Sequence, residues 1–162
     1  ETASGNYPIE TIMVMKRIIK LIEKDMPTDY TRRRRPTGDA PMLQEGIAVS
    51  SVSLAETLEV DAIVSITLTG AMSRLIAKYR PKKPIIAITH SESVLRQLSL
   101  VWGVQGIILP DLKTNIDDSV NEIKKALTDA GIVQKGNKFV ITAGLPFSSR
   151  GPTNSVRVET IA

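Results

Sequence analysis

Apolar residues recur at helical spacing from Pro8 to about Asp25, where Ile9, Ile12, Met13, Met15, Ile19 and Ile22 are interleaved with Lys16, Arg17, Lys20 and Lys24. That periodicity predicts one amphipathic helix. Gly5-Asn6 reads as the turn before it. Pro8 suits a first turn, where a missing N–H costs nothing, and Glu10 suits the positive end of the helix dipole. The pattern ends before Pro27. Pro27 to Thr31, the run Arg32-Arg33-Arg34-Arg35, Pro36 and Gly38 carry no periodicity and predict an irregular linker over residues 27–40.

Beyond residue 40 helical and extended patterns alternate. Met42 to Leu58 predicts a helix rich in small residues (Ala48, Ser50, Ser51, Ser53, Ala55) that lets a neighbouring element approach closely. Asp61 to Thr67 and Pro84 to Thr89 are near-continuous apolar runs of strand length, and Val104 to Leu109 is a third strand. Between them lie a helix from Thr69-Gly70 to about Tyr79 and one capped by Ser91 that runs to about Leu100. Asp117 to Ala130 is amphipathic, with acidic residues at its start and Gly131 placed to close it. Lys138 to Ala143 gives a fourth strand. Ser155 to Ile161 alternates apolar and polar residues as an edge strand does, and its short connection to the fourth predicts antiparallel pairing. The expected fold is a three-layer α/β/α domain over residues 41–162. Its five-stranded sheet is mostly parallel with an antiparallel edge strand, and its ligand loops sit at the carboxyl ends of the strands.

Composition narrows the function. With 162 residues and 42% hydrophobic content the chain can bury a core of its own, and no run approaches the roughly 20 apolar residues of a membrane span. The absence of cysteine excludes thiolate chemistry and permits a reducing cytoplasm. His90 alone cannot build a multi-histidine metal site. Of the net charge of +4, most lies in residues 1–35, which hold eight Lys or Arg against five Asp or Glu. The four-arginine run has no interleaved aromatics, so it reads as a solvated linker or ion-pairing edge, with no nucleic-acid partner expected. Glu1 opens an acidic, turn-forming segment instead of a secretory leader.

Thr67-Leu68-Thr69-Gly70-Ala71-Met72-Ser73 falls between a strand and a helix. There, backbone N–H groups, the helix dipole and hydroxyls can hold an anion such as phosphate. The alternative is that Thr69 and Ser73 only cap the helix. Arg150, on the loop Pro146 to Pro152, can clamp a second phosphate or a sugar hydroxyl, or remain solvated. His90 and Ser91 follow a strand, where open sheets bind ligands, although a lone histidine is more often a surface residue. Trp102 reads as an apolar anchor between helix and strand, and Lys78 and Arg80 as a solvated helix end.

Glu1-Thr2-Ala3-Ser4-Gly5-Asn6-Tyr7-Pro8-Ile9-Glu10 resembles the turn into the last barrel helix of pyruvate kinases. The likeness continues through Ser65 to Arg74, Lys78 to Pro81, Arg96 to Leu98, Gly144 and Gly151 to Asn154. It spans almost the whole chain. The resemblance implies a final barrel segment over residues 1–26 and a C-terminal regulatory and oligomerisation domain over 41–162, in a cytoplasmic glycolytic enzyme. The parent enzyme transfers phosphate from phosphoenolpyruvate to ADP, with Mg2+ and a monovalent cation such as K+ at a barrel site. No catalytic or metal-ligating residue is expected in this chain, which alone should be inactive. The implied partners are the barrel domain, other copies in a tetramer and a phosphorylated effector held at Thr67–Ser73, with no membrane partner. Ala71 and Met72 lack the side-chain donors of hydroxyl-rich relatives. Asn115 and Glu122 fall near the tryptophan and arginine that serve a second phosphate elsewhere, which adds weight to a monophosphate, or to no effector, and leaves the effector's identity open. Two readings stand beside this one, a stand-alone phosphometabolite-binding module and a purely structural assembly domain.

Overall fold

The structure, a computed structural model, describes residues 2, 4–25, 42–110, 116–146 and 151–162. Its elements follow in the order α1 (Pro8–Asp25), α2 (Met42–Thr57), β1 (Ala62–Ile66), α3 (Ala71–Lys78), β2 (Ile85–Thr89), α4 (Glu92–Leu98), β3 (Val104–Ile108), α5 (Ile116–Asp129), β4 (Lys138–Ala143) and β5 (Ser155–Thr160). The expected boundaries differ from these by one or two residues at most ends, within the fraying of helix termini.

The sheet order is β3-β2-β1-β4-β5. β1 pairs in parallel with β2 and β4, β2 in parallel with β3, and β4 in antiparallel register with β5. Because β1→β2→β3 steps outward in one direction, right-handed crossovers place α3 and α4 on the same face. The chain then returns past β1 to β4, so α5 covers the opposite face. Two cores result. Ile63, Ile85 and Val140 pack with Val52, Ala55, Met72, Ile76 and Tyr79 of α2, α3 and the α3 end. Val64, Ile86, Phe139 and Ile141 pack with Val120, Ile123 and Leu127 of α5. β1 and β2 are buried along their whole length, which is why they read as unbroken apolar runs. β3 is an edge strand with Gln105 and Gly106 exposed.

The small residues of α2 meet the expectation in part, since Ser50 is exposed and Ser53 half-buried. Ala48, Ser51, Val52 and Ala55 are fully buried, and the helix packs on α3 and β4. Near its start Glu45 is carried into the protein, 5% exposed, where one carboxylate oxygen takes hydrogen bonds from Tyr79 Oη and Lys78 Nζ. Burial, then the hydrogen bond to Glu45 and its charge, push the Tyr79 hydroxyl above the ordinary phenol range. A folded-state pKa above the unfolded value contributes stability that is complete below about pH 10 and is lost as pH climbs past it. We therefore expect the midpoint of urea unfolding to fall between about pH 9 and 11 by more in the wild type than in Tyr79→Phe. Parallel declines would show that Tyr79 does not carry the alkaline sensitivity. At neutral pH, Tyr79→Phe should cost about 1.5–3 kcal/mol, the range for a hydrogen bond to a charged group.

α1 stands apart from this packing. Ile9, Ile12, Met13, Met15, Ile19 and Ile22 are each about half exposed or more, so its apolar stripe is not spent on the α/β unit.

Candidate functional site

β1, β2, β3 and β4 all end at the same edge, and because the crossovers reverse direction between β1 and β4 the segments leaving those two strands diverge there. A cleft of about 450 Å3 opens at that place. Thr67, Leu68, Thr69, Ala71 and Met72 line it from the β1–α3 turn, Thr89 and His90 from the end of β2, and Leu109 and Pro110 from beyond β3. Gly144 and Gly151 to Thr153, after β4 and before β5, form the far wall, and Gln44 enters from the first turn of α2. No Asp, Glu, Lys or Arg is among these described lining residues.

The β1–α3 turn is held by its own hydroxyls. Thr67 Oγ1, largely buried, accepts the Gly70 N–H at 2.9 Å, and Thr69 Oγ1 accepts the Ala71 N–H at a long 3.4 Å. Each hydroxyl keeps its own hydrogen to donate. Gly70 sits at φ 78°, the left-handed region that a residue with a Cβ enters at a cost. Arg74 fastens the corner from outside, with Nη1 donating to Thr69 O at 2.9 Å and Nη2 to Gln97 Oε1 of α4 at 3.0 Å. The Arg74 N–H bonds Gly70 O, so the N–H groups of Met72 and Ser73 precede the helix ladder at its positive end.

The far wall is equally fixed. Asn154 closes the loop as a backbone pair would, its Oδ1 accepting from Leu145 N at 2.8 Å and its Nδ2 donating to Leu145 O at 2.7 Å. The Gly144 backbone meets the Gly151–Pro152 segment so closely that a Cβ there would lie 2.6 Å from Gly151 O.

Of the residues expected at a site, Thr67, Leu68, Thr69, Ala71 and Met72 line the cleft, while Gly70 and Ser73 lie beneath it. Ser73 is fully buried and donates to Ser65 Oγ at 3.1 Å, a bond that joins α3 to β1. Arg150 and Asn115 lie outside the described residues. His90 is exposed on the cleft rim, and its position after a strand was the signal for it. Gln44, Thr153 and Arg74 were missed. Gln44 reaches the cleft only through the packing of α2, and the bonds of Arg74 to Thr69 O and Gln97 leave no mark in the hydropathy pattern.

Two other expectations are corrected. Trp102 is not an apolar anchor: it is partly exposed and its Nε1 donates to Glu23 Oε1 of α1 at 2.6 Å. Arg80 is not merely solvated, because its guanidinium lies 4.5 Å from the centre of the Trp102 ring and 3.7 Å from the same Glu23 oxygen. Lys78 is engaged by Glu45.

The family model described as pyruvate kinase, alpha/beta domain, matches residues 45–159. A pyruvate kinase of Clostridium acetobutylicum is 36% identical over 161 residues, covering 99% of this chain and 34% of its own length. One of Geobacillus stearothermophilus is also 36% identical, over all of this chain and 27% of itself. Among solved structures, a pyruvate kinase from Cryptosporidium parvum superimposes on the whole chain and 32% of its own with a TM-score of 0.83 at 25% identity. The chain thus spans between a quarter and about a third of the length of these relatives. The match to the family model, with the five-stranded mixed sheet and its helices, establishes that the chain belongs to the pyruvate kinase family as its C-terminal α/β domain.

Proposed function

We propose that this domain regulates and assembles a pyruvate kinase, and that the cleft above β1 and β4 receives a phosphorylated effector through the Thr67–Ser73 turn. The observation that carries the proposal is the meeting of that turn with the Gly151–Thr153 wall across one cleft at the sheet's switch point. An effector phosphate seated there would take N–H groups at the start of α3 and the hydroxyl hydrogens of Thr67 and Thr69, favoured by the helix dipole. Arg150, on the loop that precedes Gly151, would add a guanidinium. Thr89, Thr153, Gln44 and His90 offer partners to sugar hydroxyls, while Ile66, Ile88 and Leu109 give an apolar floor.

The parent enzyme in this reading is cytoplasmic and moves phosphate from phosphoenolpyruvate to ADP. Its Mg2+ and monovalent cation belong to the barrel. The described residues of this chain do not suit a metal, since no three His, Cys, Asp or Glu side chains gather among them. No helix among the described residues is long and apolar enough to cross a membrane. Residues 1–26 would be the final barrel segment and 27–40 the linker to the unit at 41–162. The exposed stripe of α1 supports this, because a barrel helix spends such a stripe on the barrel. The edge strand β5, with Val158 exposed, supports contact between copies in a tetramer.

Calorimetric titration with fructose bisphosphate, glucose 6-phosphate, ribose 5-phosphate, AMP and inorganic phosphate tests the effector reading. Saturable binding that Thr67→Val weakens by about 10- to 150-fold, the span of one hydrogen bond to a charged group, is expected. A folded chain that binds none of the panel would leave the assembly role alone.

A further inference from the structure

Arg80 ends α3 in a conformation that arginine rarely adopts. Its φ is 52°, the left-handed position after a helix that normally falls to glycine or asparagine, with its N–H bonded to Ala77 O. A side chain that keeps such a place at a backbone cost has to return something. Here it spreads the guanidinium over the Trp102 ring at 4.5 Å. Glu23, near the last turn of α1, completes the group, with one oxygen accepting the indole N–H at 2.6 Å and lying 3.7 Å from Arg80. The three residues come from three places, the end of α1, the end of α3 and the turn between α4 and β3.

We infer that Glu23, Arg80 and Trp102 form the joint that fixes α1 to the α/β unit. The partner this surface fits is a helix end carrying a carboxylate, and α1 of the same chain supplies it. The α1 apolar positions are half exposed, and helices in proteins draw most of their stability from packing, so the Glu23 contact is where the α/β unit can act on the end of α1. A carboxylate that accepts an indole N–H beside a stacked guanidinium is directional as well as attractive, so it sets the angle at which α1 leaves the unit. Both α3 and α4 begin near the cleft, at the carboxyl ends of β1 and β2, and both run toward the joint. The inference needs no ligand at the cleft and does not rest on the proposed effector.

Trp102 is the only tryptophan, so its fluorescence reports on the joint without a label. In the full 162-residue chain, Glu23→Leu is expected to raise quenching of Trp102 by acrylamide and to speed amide exchange in α1 about tenfold, the change that follows from losing a bond to a charged group. Arg80→Gly relieves the backbone and removes the stack, so it should loosen α1 while leaving the α/β unit at least as stable. Glu23→Gln keeps an acceptor for the indole and should fall between Glu23→Leu and the wild type. Quenching and α1 exchange unchanged in Glu23→Leu and in Arg80→Gly would overturn the inference. Should Glu23→Leu fail to fold, Glu23→Gln and Arg80→Gly decide it by the same readings.

Discussion

Replacing Gly70 by valine is expected to lower stability by about 2–4 kcal/mol, combining left-handed backbone strain with overpacking, and to abolish the phosphate binding proposed for the cleft. The Gly70 φ of 78° admits a Cβ only under strain, and that Cβ would lie 3.0 Å from Leu98 Cδ2 and 3.1 Å from Arg74 Nη1. Leu98 is buried, so it has little room to yield. Arg74 is the brace that holds Thr69 O, and displacing it frees the corner that lines the cleft. The two consequences separate experimentally. Gly70→Ala should keep most of the strain with less of the clash, so its unfolding midpoint should lie between those of valine and the wild type. Loss of binding should already be large, because a shifted corner misplaces every donor at once. A Gly70→Val chain that is as stable as the wild type and titrates with the same ligand affinity would remove the turn from the proposed site.

The second large effect is expected at Gly144. An alanine Cβ there would lie 2.6 Å from Gly151 O and 3.0 Å from Pro152 O, and both are backbone atoms that cannot turn aside as a side-chain end can. The Gly151–Asn154 segment is also tied down, by the Asn154 amide on both Leu145 backbone groups and by Asn154 N donating to Ala143 O. Gly144→Ala should therefore cost about 1–3 kcal/mol, the usual penalty of a methyl forced into a closed space. The cleft should also widen as Thr153 is pushed off its wall. Gly46→Ala is the control. Gly46 lies in α2, where an added methyl would meet nothing within 4 Å, so alanine there should stabilise by about 0.5–1 kcal/mol. Chemical denaturation of the three chains in one buffer checks the order. Equal midpoints for Gly144→Ala and the wild type would mean that the wall moves freely.

Much of this fold is legible in the residues alone. Strands buried on both faces have no choice but to be apolar runs, so β1 and β2 announce themselves, whereas the burial of β5 does not follow its alternation: Val158 is exposed and Glu159 is buried against Lys124 of α5. The antiparallel pairing of β4 with β5 followed from the short connection between them. The site was legible as a place more than as a set of contacts. A strand–turn–helix with hydroxyls located the turn, yet whether Ser73 faced the cleft or the core depended on helical phase. That phase turns it inward to Ser65. The Glu23–Trp102 bond joins residues 79 positions apart through an unusual backbone at Arg80, and neither separation nor φ is written in a hydropathy pattern. The same holds for Gln44, which reaches the cleft because α2 is long enough to carry its first turn there.

The sheet order also governs how the chain is made. β4 lies between β1 and β5, although it is synthesised some seventy residues after β1. Until residues 138–160 have left the ribosome, β1 exposes one hydrogen-bonding edge, and the core around α5 lacks Phe139 and Ile141. The β1–β3 half can therefore form early while its open flank waits, a period in which an unpaired apolar strand invites association with other nascent chains. The local β4–β5 hairpin shortens that wait, since the inserted strand can arrive already paired on its far side.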